Sequence, residues 1–438
     1  MVRNSARVAF FGGMANNCYM ACKQMRAIGM DAIYILDHSD NYAMSQPIWE
    51  DQRFSLPYQT VMESSGWDMA NWRRQADLRN WRKPDWIIDP LGLTEEAEPE
   101  FLPEWQIDLS NYTPAPGDHC RRIIEVFRGC DLLFVSNVHA IILALLSARP
   151  FVICPAGGEF LLATDRVSAD GPVGETYRQQ GVLLRAAFAR CASVLTNTAY
   201  LHHAALTGGV LKLLRFFPPH RFRRVSLPFA VRPQLAADVA RNKLNGLLAE
   251  LGAEPVRTRF GVFVPSRVDF LWKGQDRLMA AIDQFQQSDQ FTFIFSGWGA
   301  DYPRLKHWAA GRANIRVLHS ALSKPLIYEF NAASDLVIDQ FMLGHIGTSA
   351  REAASVGTPV MAWIKGGKSL PWARPEMPVL NAHSVQDIVG GLIRIVDGEI
   401  DLRKQGRIGQ AWIETWASPQ QMQQVLMEII NYHAKPLS

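Results

Sequence analysis

The stretch Asp335–Val360, DLVIDQFMLGHIGTSAREAASVGTPV, decides how the chain is read. Leu336-Val337-Ile338 is a short apolar run of the kind that forms a strand buried on both faces of a parallel sheet. A loop with Gly344 and Gly347 follows, and Thr348 or Ser349 is placed to cap a helix running through Glu352 and Ala353 to Val356. Gly357 stops that helix, and Pro359-Val360-Met361 opens another strand. Such a corner offers unpaired N–H groups and the positive end of a helix dipole to an anion. Glu352 falls about one turn into the helix, within reach of a ribose beside a bound phosphate. The same pattern equally describes an ordinary αβ crossover whose glycines only make tight turns.

A second stretch, Phe260–Leu278, reads FGVFVPSRVDFLWKGQDRL. A strand over Phe260–Val264 runs into a loop carrying Arg267 and then Lys273-Gly274. Two cations at the carboxyl end of a strand can neutralise a diphosphate, although most Arg and Lys side chains are merely solvated.

Taken together, these stretches resemble the nucleotide-sugar half of the GT-B glycosyltransferases, specifically the retaining family 4 type. Ser266-Arg267, Lys273-Gly274, Gly347 and the run Glu352–Val360 carry the resemblance. It implies that Arg267 and Lys273 hold a donor diphosphate and that Glu352 holds the ribose. Gly344 stands where the family usually has a second Glu, and Asp339-Gln340 precedes it. The implied architecture is α/β: two Rossmann-like domains facing a cleft, with a C-terminal helix crossing back to the first. The implied activity is transfer of a hexosyl unit from a nucleotide-diphosphate sugar with retention. The expected setting is polysaccharide or glycoconjugate synthesis, on a glycan, lipid-linked or protein acceptor. No cofactor and no metal ion is expected. A nucleotide-sugar epimerase and a non-catalytic nucleotide-sugar-binding protein are the competing readings.

Composition sets the frame. A chain of 438 residues with 48% hydrophobic residues can bury the cores of two or three domains. Lys plus Arg (45) nearly balances Asp plus Glu (42), which speaks against a nucleic-acid partner. Six cysteines are scattered through the first half without a CxxC pair, as expected of reduced core thiols in a cytoplasmic protein. The N-terminus MVRNSARVAFFGG is too short before its glycines for a secretory signal. The apolar run Val138–Ala148 falls well short of the ~20 residues that span a bilayer.

The first half also reads as strands alternating with helices. Arg7–Phe11 ends in Gly12-Gly13, a helix starts at Asn16 or Asn17, and Ala32–Leu36 is a second strand. Gly12 and Gly13 are donor-side candidates or a turn needed for close packing. Residues 38–118 break the rhythm with six tryptophans, several prolines and an acidic run. That segment is a sugar-binding insertion or a local Trp-bearing minicore. Strands at Leu132–Val135 and Phe151–Cys154 follow, with helices over Arg121–Phe127 and His139–Leu146. Glu159 is a catalytic candidate in the loop after Cys154, where Ala156 occupies the family's His position. Asn16 and His139 are acceptor-side candidates, and His319, after Val317-Leu318, is a base-side one. Arg215–Arg224, basic and aromatic, is an interdomain linker or a peripheral membrane contact. The expected domains are 1–230, 231–410 and a crossover helix over 411–438.

Overall fold

A computed structural model of the chain describes residues 6–12, 16–36, 47–57, 82–90, 118–155, 172–196, 221–365 and 375–434. In chain order come β1 (Arg7–Phe11), α1 (Asn17–Ala27), β2 (Asp31–Ile35), α2 (Pro47–Asp51), β3 (Ser55–Pro57) and β4 (Ile87–Ile88). Next are α3 (Asp118–Arg128), β5 (Leu132–Val135), α4 (Val138–Ser147), β6 (Phe151–Ile153), α5 (Pro172–Arg190), β7 (Ser193–Thr196) and β8 (Phe222–Arg224). Then follow α6 (Ala237–Glu250), β9 (Phe260–Val264), α7 (Gln275–Gln284), β10 (Phe291–Phe295), α8 (Tyr302–Ala309), β11 (Ile315–Val317), β12 (Ser320–Leu322) and α9 (Lys324–Ala333). The last are β13 (Leu336–Ile338), α10 (Thr348–Ser355), β14 (Val360–Ala362), β15 (Leu380–Asn381), α11 (Val385–Val396), α12 (Leu402–Trp416) and α13 (Pro419–His433).

The chain divides into two compact units, the first comprising residues 1–49, 68–228 and 419–438, the second residues 50–67 and 229–418. The first holds a seven-stranded sheet in the order β4-β2-β1-β5-β6-β7-β8, parallel throughout. Both of its faces are covered. Val8 and Phe10 point into one apolar cluster, and Ala9 and Phe11 into another, as strand alternation requires. The first cluster includes Met422, Leu426, Ile429 and Ile430 of α13, packed with Cys18, Tyr19, Cys22 and Met25. Spacings of three, four and seven put those α13 residues on one stripe, each contributing roughly 2 kcal/mol on burial. The cysteines lie free in or beside these cores, and burial pushes the Cys130 thiol up to about 11.

The second unit holds a six-stranded parallel sheet, β11-β10-β9-β13-β14-β15. Its β9 and β10 are rich in Phe and Val, and Val262, Val264, Phe291, Phe293 and Phe295 form one core face.

Three boundaries differ from the sequence expectation. The predicted helical tail is two helices broken at Ala417-Ser418, and the chain passes to the first unit there, so residues 411–416 stay with the second. The break follows the burial pattern, because Trp412 and Ile413 are buried within the second unit, Trp412 donating its Nε1–H to the Pro375 carbonyl, while Met422 starts a new stripe. Residues 50–57, expected inside the first domain, belong to the second, where β3 pairs antiparallel with β12. Residues 222–224, read as linker, form the edge strand β8 beside β7.

Candidate functional site

The order of the second sheet reverses between β9 and β13, which are hydrogen-bonded neighbours. At such a switch point the two outgoing loops diverge and leave space for a ligand beyond the carboxyl ends of the strands. The loop after β9 carries Ser266, Arg267 and Lys273, and the loop after β13 carries Asp339, Gln340, Gly344 and Gly347. The two stretches singled out in the sequence therefore meet.

Asp339, 1% exposed, makes the junction. Its Oδ1 accepts from the Ser266 hydroxyl at 2.7 Å and lies 4.0 Å from Lys273 Nζ. Its Oδ2 accepts the Gly347 N–H at 2.9 Å. Lys273 Nζ also donates to Gln340 Oε1 at 3.0 Å, and the Phe341 N–H donates to the Lys273 carbonyl at 2.9 Å. A Cβ on residue 347 would stand 2.6 Å from Asp339 Oδ2, so glycine is required there by close approach.

This arrangement corrects the expected cap. Gly347 is the residue before α10, and no side chain of its own end caps that helix; Thr348 is its first residue. Asp339 reaches in from the neighbouring strand end instead. One amide counted on for an anion is thus engaged by a carboxylate. The positive charge of the corner rests on Lys273 and on Arg267, whose Nε lies 3.2 Å from Asp269 Oδ2. By helix geometry the amides of Thr348 and Ser349 have no intrahelical acceptor.

The Lys273 loop is held by its own polar groups. Asp269 accepts the Lys273 N–H on its carbonyl (2.7 Å) and the Trp272 N–H on Oδ1 (3.0 Å). Gln275 takes the Asp269 N–H at 3.1 Å and donates to the Arg267 carbonyl at 2.7 Å. Leu271 and Trp272 stand exposed at the tip.

Gly344 has φ +69°, and a Cβ there would meet Lys365 Cβ at 2.8 Å. The position that carries Glu in the resembled family is here a left-handed turn, a conformation that favours glycine. Next to it, burial first and then Lys273 and Arg351 depress the His345 imidazole to about 4, against an opposing contact to the Leu343 carbonyl.

Glu352 is buried in α10, 1% exposed. Its Oε1 accepts from Lys324 Nζ, at the start of α9, and its Oε2 has no hydrogen-bond partner among the described residues. Burial works against the Lys324 charge, but the carboxylates of Glu352, Glu50 and Asp339 outweigh it and raise the ammonium's pKa. Sequence reading missed Lys324, since a Lys before Pro at a helix start has the pattern of a surface residue. His319 follows β11 in a left-handed conformation (φ 50°), exposed, with Nδ1 hydrogen-bonded to the Tyr302 hydroxyl. Burial and then Lys306 lower its pKa.

In the first unit the sheet order reverses between β1 and β5. Gly12 sits there with φ +117°, and a Cβ would come within 2.1 Å of the Ser136 carbonyl oxygen, which accounts for the glycine by packing. Asn16, fully buried with φ 55°, precedes α1 without a side-chain capping bond. His139 sets its ring edge-on to Phe11, centroids 6.1 Å apart. Gly12, Asn16 and His139 thus gather at the carboxyl edge of the first sheet. Gly13, Ala156, Glu159 and residues 215–220 lie outside the described residues, as does most of 38–118. Arg221 Nη1 donates to the Cys191 carbonyl at 3.2 Å. Among the described residues there is no group of three or more His, Cys, Asp or Glu suited to a metal, and no helix long and apolar enough to cross a membrane. An open groove of about 570 Å³, lined by Phe270, Asp276, Arg304 and Trp308 among others, includes neither Lys273 nor Glu352.

No protein-family model matches the sequence, and no curated protein matches it. Solved structures do. The chain has the GT-B fold, two α/β units each on a parallel sheet. Similar structures include HepE of Anabaena in complex with UDP, 16% identical, with 97% of this chain and 100% of that one covered and a TM-score of 0.59. HepE with UDP-glucose gives a TM-score of 0.60 over 98% and 100% at 16% identity. Sucrose-phosphate synthase of Thermosynechococcus elongatus is 13% identical, covers 98% of each chain and has a TM-score of 0.57. The catalytic domain of starch synthase IV of Arabidopsis thaliana, bound to ADP and acarbose, is 14% identical over 98% and 99%, TM-score 0.59. At such identities the likeness is one of fold.

Proposed function

We propose that this chain transfers a glycosyl unit from a nucleoside-diphosphate sugar to an acceptor hydroxyl. The observation that carries the proposal is the meeting of the Lys273 loop and the Asp339–Gly347 loop at the switch point of the second sheet, with Lys273 within 3.0 Å of Gln340. Two structures of similar fold hold UDP and UDP-glucose, which supports the same ligand class here.

The reaction breaks the bond between the anomeric carbon and the diphosphate oxygen and forms one to the acceptor oxygen. Negative charge develops on the departing diphosphate. Lys273 and Arg267 stabilise that charge from fixed positions, the most effective form of electrostatic catalysis. Glu352 takes the ribose, and His319 lies on the base side. Retention of configuration, independence of a divalent metal, a hexosyl donor and a role in polysaccharide or glycoconjugate synthesis follow from the family resemblance. Gly12 and Gly13 belong to the donor side in this reading, Asn16 and His139 to the acceptor side, Glu159 to the reacting sugar, and Arg215–Arg224 to a peripheral membrane contact.

A thermal-shift panel of UDP-, GDP- and ADP-sugars with the corresponding diphosphates is the test. A ligand at a hundred times its dissociation constant stabilises by ~2.7 kcal/mol. One base should raise the midpoint clearly, and Lys273→Ala should abolish the rise. No shift with any of them would sink the proposal.

A further inference from the structure

We propose that Lys324 is the positioning residue that selects a ribose over a deoxyribose in the donor, by fixing the carboxylate of Glu352. The inference rests on the donor reading above. Glu352 is almost wholly shielded from water, yet only one of its oxygens is used. Oε1 accepts from Lys324 Nζ, while Oε2 has neither solvent nor a donor among the described residues. A buried acceptor left without a donor is costly, and a vicinal diol supplies one. The side chain that holds Oε1 decides where Oε2 points.

Lys324 is itself well held. It opens α9 directly after β12, and β12 is fastened by pairing with β3. Ser323, beside it, donates its N–H to the Phe54 carbonyl at 3.0 Å and accepts the Phe54 N–H on its hydroxyl at 2.9 Å. The ammonium pairs directly with Glu352, and the carboxylates of Glu50 of α2 and Asp339 add to the field that favours its charge. A residue so confined orients its partner with little loss of side-chain freedom on binding. It touches no ligand in this scheme and acts through Glu352.

The test compares dissociation constants, by calorimetry, for the ribonucleoside diphosphate that binds best among UDP, GDP and ADP and for its 2′,3′-dideoxy counterpart. Wild type, Glu352→Gln, Lys324→Gln and Lys324→Arg are measured, with thermal unfolding as the check on folding. Wild type should prefer the ribo form by about tenfold or more, the worth of a hydrogen bond to a charged group. Lys324→Gln should weaken the ribo form about tenfold and leave the dideoxy form unchanged, so that the preference approaches unity. Lys324→Arg, which keeps charge but displaces the attachment point, should retain an intermediate preference. A Lys324→Gln protein that keeps the wild-type preference, or weakens both ligands equally, overturns the proposal. Should that variant not fold, Lys324→Arg decides, and an unchanged preference in it is the overturning result. Wild type binding both forms equally removes the role of Glu352 and this inference with it. Wild type binding no nucleoside diphosphate sinks the donor reading itself.

Discussion

Asp339 Oδ2 accepts the Gly347 N–H at 2.9 Å, joining the end of β13 to the start of α10 across eight residues. The same carboxylate takes the Ser266 hydroxyl at the end of β9. One buried side chain therefore sets the spacing of the two loops that carry the candidate cations and the helix terminus.

Gly347→Ala should cost about 1–3 kcal/mol, since its Cβ would enter the space of the Asp339 carboxylate. Asp339→Ala should cost a similar amount by orphaning the Gly347 amide and the Ser266 hydroxyl. In the double variant the clash is gone, and the combined loss should fall short of the sum by about 1 kcal/mol. Urea denaturation of the four proteins measures this, and strictly additive losses would contradict the close-approach account.

Lys273→Ala and Arg267→Ala should each lower turnover about a hundredfold, as removal of one preorganised charge contact does. Steady-state kinetics with the donor found in the thermal panel decides the matter. Turnover within a few-fold of wild type in both variants would take the cations out of the reaction.

The half-buried His345 imidazole, held down to about 4 against an ordinary 6.5, makes a pH-dependent contribution. The unfolded chain takes up a proton as pH falls through 6.5 while the folded protein does not. Stability from this residue is complete above 6.5 and is lost progressively toward 4, by up to about 3 kcal/mol. His345→Gln should flatten this part of the profile when urea midpoints are followed from neutral to acid pH.

Arg53 forks onto Glu250 at 2.7 and 2.6 Å and onto Glu329 at 2.7 Å, with its side chain more than a third exposed. Arg53→Ala should therefore cost only about 1 kcal/mol. The loss should shrink in high salt, where exposed charges are screened.

Leu426→Ala in α13 should cost about 3 kcal/mol, because the side chain is fully buried against α1 and the first sheet. Thermal unfolding checks it; a loss under about 1 kcal/mol would mean that the last helix adds little to that core.

Much of the fold could be read directly from local pattern. Leu336-Val337-Ile338 and Phe260–Val264 are the buried parallel strands that their apolar runs imply. Gly357 does end α10, with φ +81°. Arg267 and Lys273 lie on the loop where their spacing put them. These features depend on burial, backbone freedom and neighbouring residues, all of which are written along the chain. The pairings were not. Glu352 meets Lys324 across 28 residues, and Ser55–Pro57 meets Ser320–Leu322 from the far end of the sequence. Gly347 looked like a loop glycine, and only the approach of Asp339 shows why nothing larger fits. Which carboxylate finishes against which cation is settled when helices and loops pack, because the energy of such a pair depends on the distance and shielding that packing creates.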